Sequence, residues 1–565
     1  MRVLQRSVFS FGMIVLLVLA AGCGGGGGGG SNNNNSGGTT VPQDRRSFRA
    51  IAGISMGAYG AMNIGTKHSD TFATIGALGG PIDLGQLLLD LEENLQVKPV
   101  VEIPQVIGDP VTFDHQLPYP GRDQRLSLSR DLFLTLGNPF LHHPDPAKQY
   151  LASDSQPAQI RQDDVFGAFV IPADARGFLD GGDKNSDGLR QTGEAATTST
   201  DIFLLAGGSL DSIAAGAQGV EVGGRLLADL NGDGVYDVGD GVVLNFSEPF
   251  TDANGNHVFD AGESFEDVGL DGVPGTGDFG EGNGQFDYDP DRANWLAEDP
   301  LSRVAARSVA EIQTQRIYMD VGSKDEFGFS KHYDNFVALL QQKGLTVEER
   351  QGFSANCVKV PDPQAQFLMI RYDGGHVGIP DADSITDDLL HGDFCGPLAL
   401  WQRLLTVIGY LNQSFPGGDF GLDGLNPRGD IVDTELPSPA LAAAGGAPPM
   451  RRVLVYRPPA YFNTSSRGFP IVYFLGGYGQ QPQDFERIGD LLNLLIATNQ
   501  VQNMYFAFLP GNGGFKGSFY ANHRIAESQV PDLSDPTSGR YEDSIMADLI
   551  PQIENSILNG RVRGQ

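Results

Sequence analysis

Basic residues are scarce in this chain. Its 565 residues carry 38 Lys and Arg against 70 Asp and Glu, a formal net charge of −32. Such a balance excludes binding to DNA, RNA or an anionic membrane through a basic surface. Charged residues of both signs reach only 19%, so the acidity comes from missing cations. It is also local: residues 178–300 hold 25 Asp and Glu and 4 Lys and Arg, a net of −21. Cysteine is nearly absent, with 3 residues. The apolar run Val8 to Ala21 is too short to span a bilayer comfortably. Hydrophobic residues nonetheless make up 40%, which excludes wholesale disorder. The length suits three or four ordinary domains, or one large domain with a long insertion.

The first residues read as a secretory signal, with Arg2 and Arg6 ahead of the apolar run. The run ends in Leu19-Ala20-Ala21-Gly22-Cys23, which resembles a bacterial lipoprotein box. The resemblance implies cleavage of residues 1–22, acylation of Cys23 and, from Gly24, outer-membrane sorting. An ordinary signal with an incidental cysteine is the alternative. Residues 23–44, rich in Gly and Asn, form a tether with nothing to pack. The expected location is therefore the bacterial cell envelope, with a lipid membrane as partner through Cys23. Cys357 and Cys395 stand 19 residues either side of His376, an even pair in an exported chain that suits a disulfide. Two separate thiols remain the alternative.

Residues Arg49 to Gly60 carry Gly53-Ile54-Ser55-Met56-Gly57 after a short apolar stretch and before a small-residue helix, about Ala58 to Lys67. A serine on a sharp strand-to-helix turn has strained backbone that only glycines two residues away accommodate. That turn lifts Oγ clear of a sheet and aims the next N–H, of Met56, at a developing oxyanion. A nucleophilic serine needs a base and an orienting acid. Of nine histidines, most sit in polar loops or on helices and read as surface residues. His376 instead follows the apolar stretch Gln366 to Arg371 through a glycine turn. Upstream, Arg316 to Gly322 is a strand leading into Lys324-Asp325-Glu326. Asp325 is the expected acid, Glu326 a weaker candidate, and Asp320, inside the strand, has a structural role. The order Ser55, Asp325, His376 is that of α/β-hydrolases.

Ile51 to Met62, Gly322 to Phe327 and Gly374-Gly375-His376 resemble the esterase family of α/β-hydrolases that includes esterase D, acetyl and feruloyl esterases and bacterial mycolyltransferases. In that family four or five strands precede the nucleophile. Here their counterparts come last: Asp430 to Leu436 and Arg452 to Pro459 resemble its opening hairpin. Pro470 to Gly479 resembles the strand ending in its oxyanion turn, and Leu509 to Asn512 with Ser518-Phe519-Tyr520 the next strand and loop. Arg540 to Asp543 with Leu549-Ile550-Pro551 resembles the helix before the nucleophile strand. The resemblance covers roughly residues 45–85, 300–415 and 430–560. It implies an α/β-hydrolase fold, circularly permuted, with a mostly parallel sheet and helices on both faces; a composite or truncated tandem gene is the alternative. Its parts are residues 45–80, 301–415 and 430–565, with 416–429 as linker and 81–300 as cap and acidic insertion. The N–H of Tyr478 is then the second oxyanion donor. Gly476 stands where the family has His, and Gly378 where it often has Trp.

Within the insertion, Asp183, Asn185, Asp187, Gln191 and Glu194 take the ligand positions of an EF-hand-type loop. Asp229, Asn231, Asp233, Asp237 and Asp240 repeat the spacing, and Asp252, Asn254, Asn256, Asp260 and Glu263 repeat it again without the central glycine. Three such loops point to structural Ca²⁺; a solvated acidic loop is the alternative. The expected function is a serine esterase acting on an extracytoplasmic ester through Ser55, His376 and Asp325, with no catalytic cofactor and no nucleic acid. Acyl transfer on the same fold, or a lipid-anchored calcium-dependent adhesion protein without catalysis, are the competing expectations.

Overall fold

The computed structural model describes residues 45–88, 132, 135–137, 220–222, 225–227, 247–251, 253, 259–269, 274, 280–288, 290–325, 327–353, 365–376, 399–422, 427–463, 467–512, 517–524 and 537–564. Cys23, Cys357, Cys395, Glu326 and the candidate ligands Asp183 to Asp240, with Asp252, Asn254 and Asn256, lie outside these described residues.

Eleven strands occur among the described residues: β1 (Arg49–Ile54), β2 (Thr74–Leu78), β3 (Val220–Val222), β4 (Arg225–Leu227), β5 (Arg316–Gly322), β6 (Val347–Gln351), β7 (Phe367–Tyr372), β8 (Asp430–Pro437), β9 (Met450–Arg457), β10 (Ile471–Leu475) and β11 (Tyr505–Leu509). β3 and β4 form a separate antiparallel pair. The other nine make one sheet in the order β6-β7-β5-β2-β1-β10-β11-β9-β8. It is parallel except where β9 runs against β11 and β8.

Every residue of β1, β2, β10 and β11 is buried, as expected of parallel strands covered on both faces. Alternation decides which face each side chain meets. Ile51, Tyr473 and Tyr505 join one apolar cluster, with the helices Met56–Lys67 and Phe329–Gln342 and the C-terminal segment around Ile545 to Ile553. Ala50, Ala52, Phe474 and Phe506 join the other, with the helices Ala399–Ser414 and Ile488–Ala497. The helix Ile488–Ala497 has no side-chain cap, yet buries Ile488, Leu491, Leu492, Leu495 and Ile496. At about 1.5–3 kcal/mol per buried aliphatic side chain, against about 1 kcal/mol for a cap, packing is what holds it. Both sheet edges carry charge that discourages further pairing: β6 has Glu348, Glu349 and Arg350, and β8 has Asp430 and Asp433 paired to Arg457 and Arg452 of β9.

The head of the chain meets its tail at the centre of this sheet. β1 pairs in parallel with β10, Arg49 opposite Ile471 through Gly53 opposite Leu475. Behind them Arg49 donates to Glu554 through Nε (2.7 Å) and Nη2 (2.8 Å), and the Tyr473 hydroxyl donates to the same carboxylate at 2.8 Å. Arg49 and Glu554 are wholly buried, so each charge depends on the other. The segment 417–422, expected to be a plain glycine-rich linker, is docked: Asn503 N–H donates to Asp419 O at 2.7 Å, and Arg467 pairs with the Asp419 carboxylate.

A second head-to-tail contact centres on a largely buried carboxylate. The Glu542 carboxylate meets Lys67 Nζ at 2.6 Å and His68 Nε2 at 3.0 Å. Burial works to raise the Glu542 carboxyl, but the His68 hydrogen bond and the Lys67 charge outweigh it and hold it below its ordinary value of 4.5. The stability this provides is complete above about pH 4.5 and is lost as the pH falls through the depressed value. Glu542→Gln should therefore lower the melting temperature at pH 7, and the difference from the native protein should shrink as the pH falls below 4.5, which melts across acid pH would measure. Glu554→Ala, which leaves Arg49 buried without its counter-charge, should cost roughly 3–5 kcal/mol in urea unfolding.

Candidate active site

Ser55 sits between β1 and the helix Met56–Lys67, which begins two residues earlier than its sequence suggested, with φ 56° and ψ −122°. A positive φ at a serine costs on the order of 1–3 kcal/mol and persists only where surroundings enforce it. Ser55 N–H is held by Leu78 O at 2.9 Å, and Ser55 O accepts from Ala58 N–H at 2.9 Å. The flanking glycines are obligatory: a Cβ on Gly53 would fall 2.2 Å from Gly57 O, and one on Gly57 2.1 Å from Leu475 O. The motif is therefore a close-approach requirement, satisfied against a strand from the far end of the chain.

β5 and β7 are parallel neighbours, so their exits lie side by side. Ser323 N–H donates to Tyr372 O (2.8 Å) and Lys324 N–H to Gly374 O (2.9 Å), which stitches the Asp325 turn to the His376 turn. Asp325 Oδ2 lies 2.8 Å from His376 Nδ1, and His376 Nε2 lies 2.8 Å from Ser55 Oγ. Asp325 Oδ1 also accepts Phe327 N–H at 2.9 Å. A carboxylate can only accept, so Nδ1 carries the proton and Nε2 is left to accept from the serine hydroxyl. The Asp325 side chain is fully buried and His376 is 4% exposed. The rings of Phe327 and Phe329 stand edge-on to the imidazole at 4.8 and 5.5 Å. These phenylalanines wall the histidine; Gly378 lies outside the described residues.

Arg403 was not legible as part of the site. From the helix Ala399–Ser414 its Nε donates to Asp320 Oδ1 at 2.9 Å and its Nη1 to His376 O at 3.0 Å. Tyr318 donates its hydroxyl to Asp320 Oδ2 at 2.8 Å, and Tyr372 donates to Gly375 O at 3.0 Å. Burial works against the Arg403 charge, but Asp320 and the surrounding phenols outweigh it and hold the guanidinium firmly protonated. Asp320 thus has the structural role expected of it, anchoring the arginine that grips the histidine's carbonyl. A lone arginine in an apolar helix and a lone aspartate in an apolar strand were the available signal.

The turn after β10 closes on the serine. A Cβ on Gly477 would lie 3.2 Å from Ser55 Cβ and 3.4 Å from Ile54 O, which puts the backbone just before Tyr478 against Ser55. The Gly477 N–H is taken by Gln480 Oε1 at 2.6 Å. Met56 is the first residue of its helix, so its N–H has no acceptor within the helix and lies at the positive end of the helix dipole. Other histidines have separate duties. His68 meets Glu542, and His332, expected at the surface, is fully buried beside Phe329 with Nδ1 accepting Asp83 N–H at 3.3 Å.

Of the candidate calcium ligands only Asp260 and Glu263 are described. Glu263 accepts Ala253 N–H (2.8 Å) and Asp260 N–H (2.9 Å), one on each carboxylate oxygen. Each oxygen keeps a second lone pair, and such hard donors suit calcium. Among the described residues no group of three or more His, Cys, Asp or Glu could hold a metal ion. Around them the described aromatic rings pack together, with Phe259 stacked on Phe286 at 4.0 Å and Phe250, Phe265 and Tyr288 edge-on to Phe286. Glu248 accepts Gly269 N–H and Asp287 N–H.

Residues 38–127 match the model of the family described as "Putative esterase", a span that includes Ser55. No curated protein matches the chain. Among solved structures, the crystal structure of PHB depolymerase from Penicillium funiculosum aligns at 15% identity and a TM-score of 0.23, over 40% of this chain and 63% of that one. The alignment therefore spans less than two thirds of the depolymerase.

Proposed function

We propose that this protein is a serine carboxylic-ester hydrolase. The observation that carries the reading is the unbroken line from the strained Ser55 through His376 to buried Asp325, at 2.8 Å per step. In the proposed reaction Ser55 Oγ attacks the ester carbonyl while His376 Nε2 takes its proton. Asp325 holds the imidazole and balances the imidazolium charge. The carbonyl oxygen, now negative, is held by the N–H groups of Met56 and Tyr478, each donor worth about 3 kcal/mol in the transition state. The tetrahedral adduct collapses as His376 returns its proton to the departing alcohol, leaving an acyl-enzyme on Ser55. Water, deprotonated by the same imidazole, then attacks the acyl carbon, and the second adduct breaks its bond to Ser55 Oγ as His376 returns the proton to that oxygen, releasing the acid. The substrate class is an ester.

The same reading takes the chain as a circularly permuted α/β-hydrolase. It is supported by the sheet order, in which β8 to β11 occupy the half of the sheet flanking β1, and by each element occurring once. Export and acylation at Cys23, with anchoring in the cell envelope, rest on the sequence of residues 1–35. Structural calcium in the acidic insertion rests on the three repeated oxygen-ligand loops; Asp260 and Glu263 belong to the third.

Hydrolysis of p-nitrophenyl acetate by the part after Cys23 tests the central claim. Ser55→Ala should lower kcat by at least ~10⁴-fold; an unchanged rate would remove Ser55 as nucleophile. For the insertion, a chelator should lower the melting temperature and added calcium restore it, whereas identical melts would dismiss the metal.

A further inference from the structure

Gly476, the first residue after β10, has no side chain with which to brace its turn. Tyr520 braces it from outside. Its side chain is wholly buried and its hydroxyl donates to Gly476 O at 2.9 Å. The ring lies against Gly60 of the nucleophile helix, where a Cβ would come within 2.6 Å of it. The hydroxyl lies against Gly511 beyond β11, where a Cβ would fall 2.2 Å from the oxygen. One phenol therefore touches the helix that carries the nucleophile, the turn after β10 and the exit of β11.

The backbone is strained to put it there. Phe519 and Tyr520 have φ of 49° and 56°, a left-handed conformation that bulky side chains rarely adopt. Ser518 fixes the turn by donating its hydroxyl to Gly511 O (2.8 Å) and accepting Tyr520 N–H (3.2 Å). On the other side of the oxyanion turn, Gln480 takes Gly477 N–H. The carbonyl of Gly476 and the amide of Gly477 are thus both held, which fixes the backbone that leads into Tyr478. Burial also pushes the Tyr520 phenol well up, so it stays a donor throughout any ordinary assay range.

We propose that Tyr520 is a positioning residue for ester hydrolysis: through Gly476 it sets the distance of the Tyr478 N–H from the oxygen that becomes negative at Ser55. The inference rests on the serine-ester reading of the site. Its role lies in the transition state, because the hydroxyl meets the turn and not the substrate.

Tyr520→Phe deletes one oxygen and keeps the ring against Gly60. With p-nitrophenyl acetate, kcat should fall about 10-fold or more, part of the loss seen when an oxyanion donor is removed, while KM stays within about twofold. Inhibition by phenylboronic acid, whose tetrahedral adduct on Ser55 mimics the charged oxygen, should weaken by a similar factor. The pH–rate profile should keep its midpoint, since the His376–Asp325 pair is untouched. A folded variant with native kcat beside an inactive Ser55→Ala would overturn the positioning role alone. Full activity in Ser55→Ala would instead remove the reading beneath it. Loss of the fold in Tyr520→Phe, seen by circular dichroism, would also overturn the proposal, since the hydroxyl would then serve stability.

Discussion

Arg49 and Glu554, one near the head of the chain and one near its tail, share a two-pronged hydrogen-bonded ion pair in the buried interior. Neither charge is tolerable alone in that interior, since an unpaired buried ion costs several kcal/mol. Their pairing, with the Tyr473 hydroxyl as a third member, registers β1 against β10 and the C-terminal segment behind both. The turn after β10 then arrives beside the serine at the end of β1. Without that closure Ser55 and the turn after β10 would stand far apart in the chain with nothing to bring them together.

The chemistry sits at one end of the sheet because parallel strands end together. β1, β5, β7 and β10 all deliver their turns to the same side, and each turn contributes a single feature: Ser55, Asp325, His376 and the backbone at Gly477. Their spacing is then a matter of small corrections. Arg403 holds the carbonyl of His376, Phe327 N–H holds Asp325, and Gln480 and Tyr520 hold two sides of the turn after β10. These groups restrict rotamers and backbone rather than meet substrate, and restricting motion in advance is what lets a site stabilise charge without reorganising.

Charge is handled in two ways in this molecule. Around the sheet, buried charges are matched by opposite ones: Glu554 by Arg49, with the exposed Arg45 also reaching it at 3.1 Å, and Asp320 by Arg403. In the acidic insertion, the described carboxylates of Glu248, Glu263 and Asp267 accept backbone N–H groups. A carboxylate that accepts amides is partly neutralised by their dipoles, which eases its placement where few cations are at hand. The segment's exit is tied to the elements around the nine-stranded sheet: Glu298 accepts from Asn63 and Lys67 of the helix Met56–Lys67, and Asp299 caps the helix Pro300–Ala305 and accepts Leu84 N–H.

Some features were legible along the chain because their causes are local. The glycines around Ser55 follow from crowding within five residues, and the strands from runs of apolar side chains. Asp325 and His376 stood out as polar groups on turns just after such runs, and the family pattern placed the late strands beside the early one. Other features were not legible, because each member makes sense only beside a partner far away in the chain. Arg403 is one arginine in an apolar helix until Asp320 and the carbonyl of His376 are seen against it. Tyr520 is one aromatic in a loop until Gly60, Gly476 and Gly511 surround it, and His332 looked like a surface residue until Asp83 and Phe329 enclosed it. The sequence alone determined which groups could do chemistry and which stretches would be strands, since those depend on neighbouring residues. Only the tertiary structure decided which amides, charges and rings hold those groups in place, because hydrogen bonds and close packing act over a few ångströms and are blind to distance along the chain.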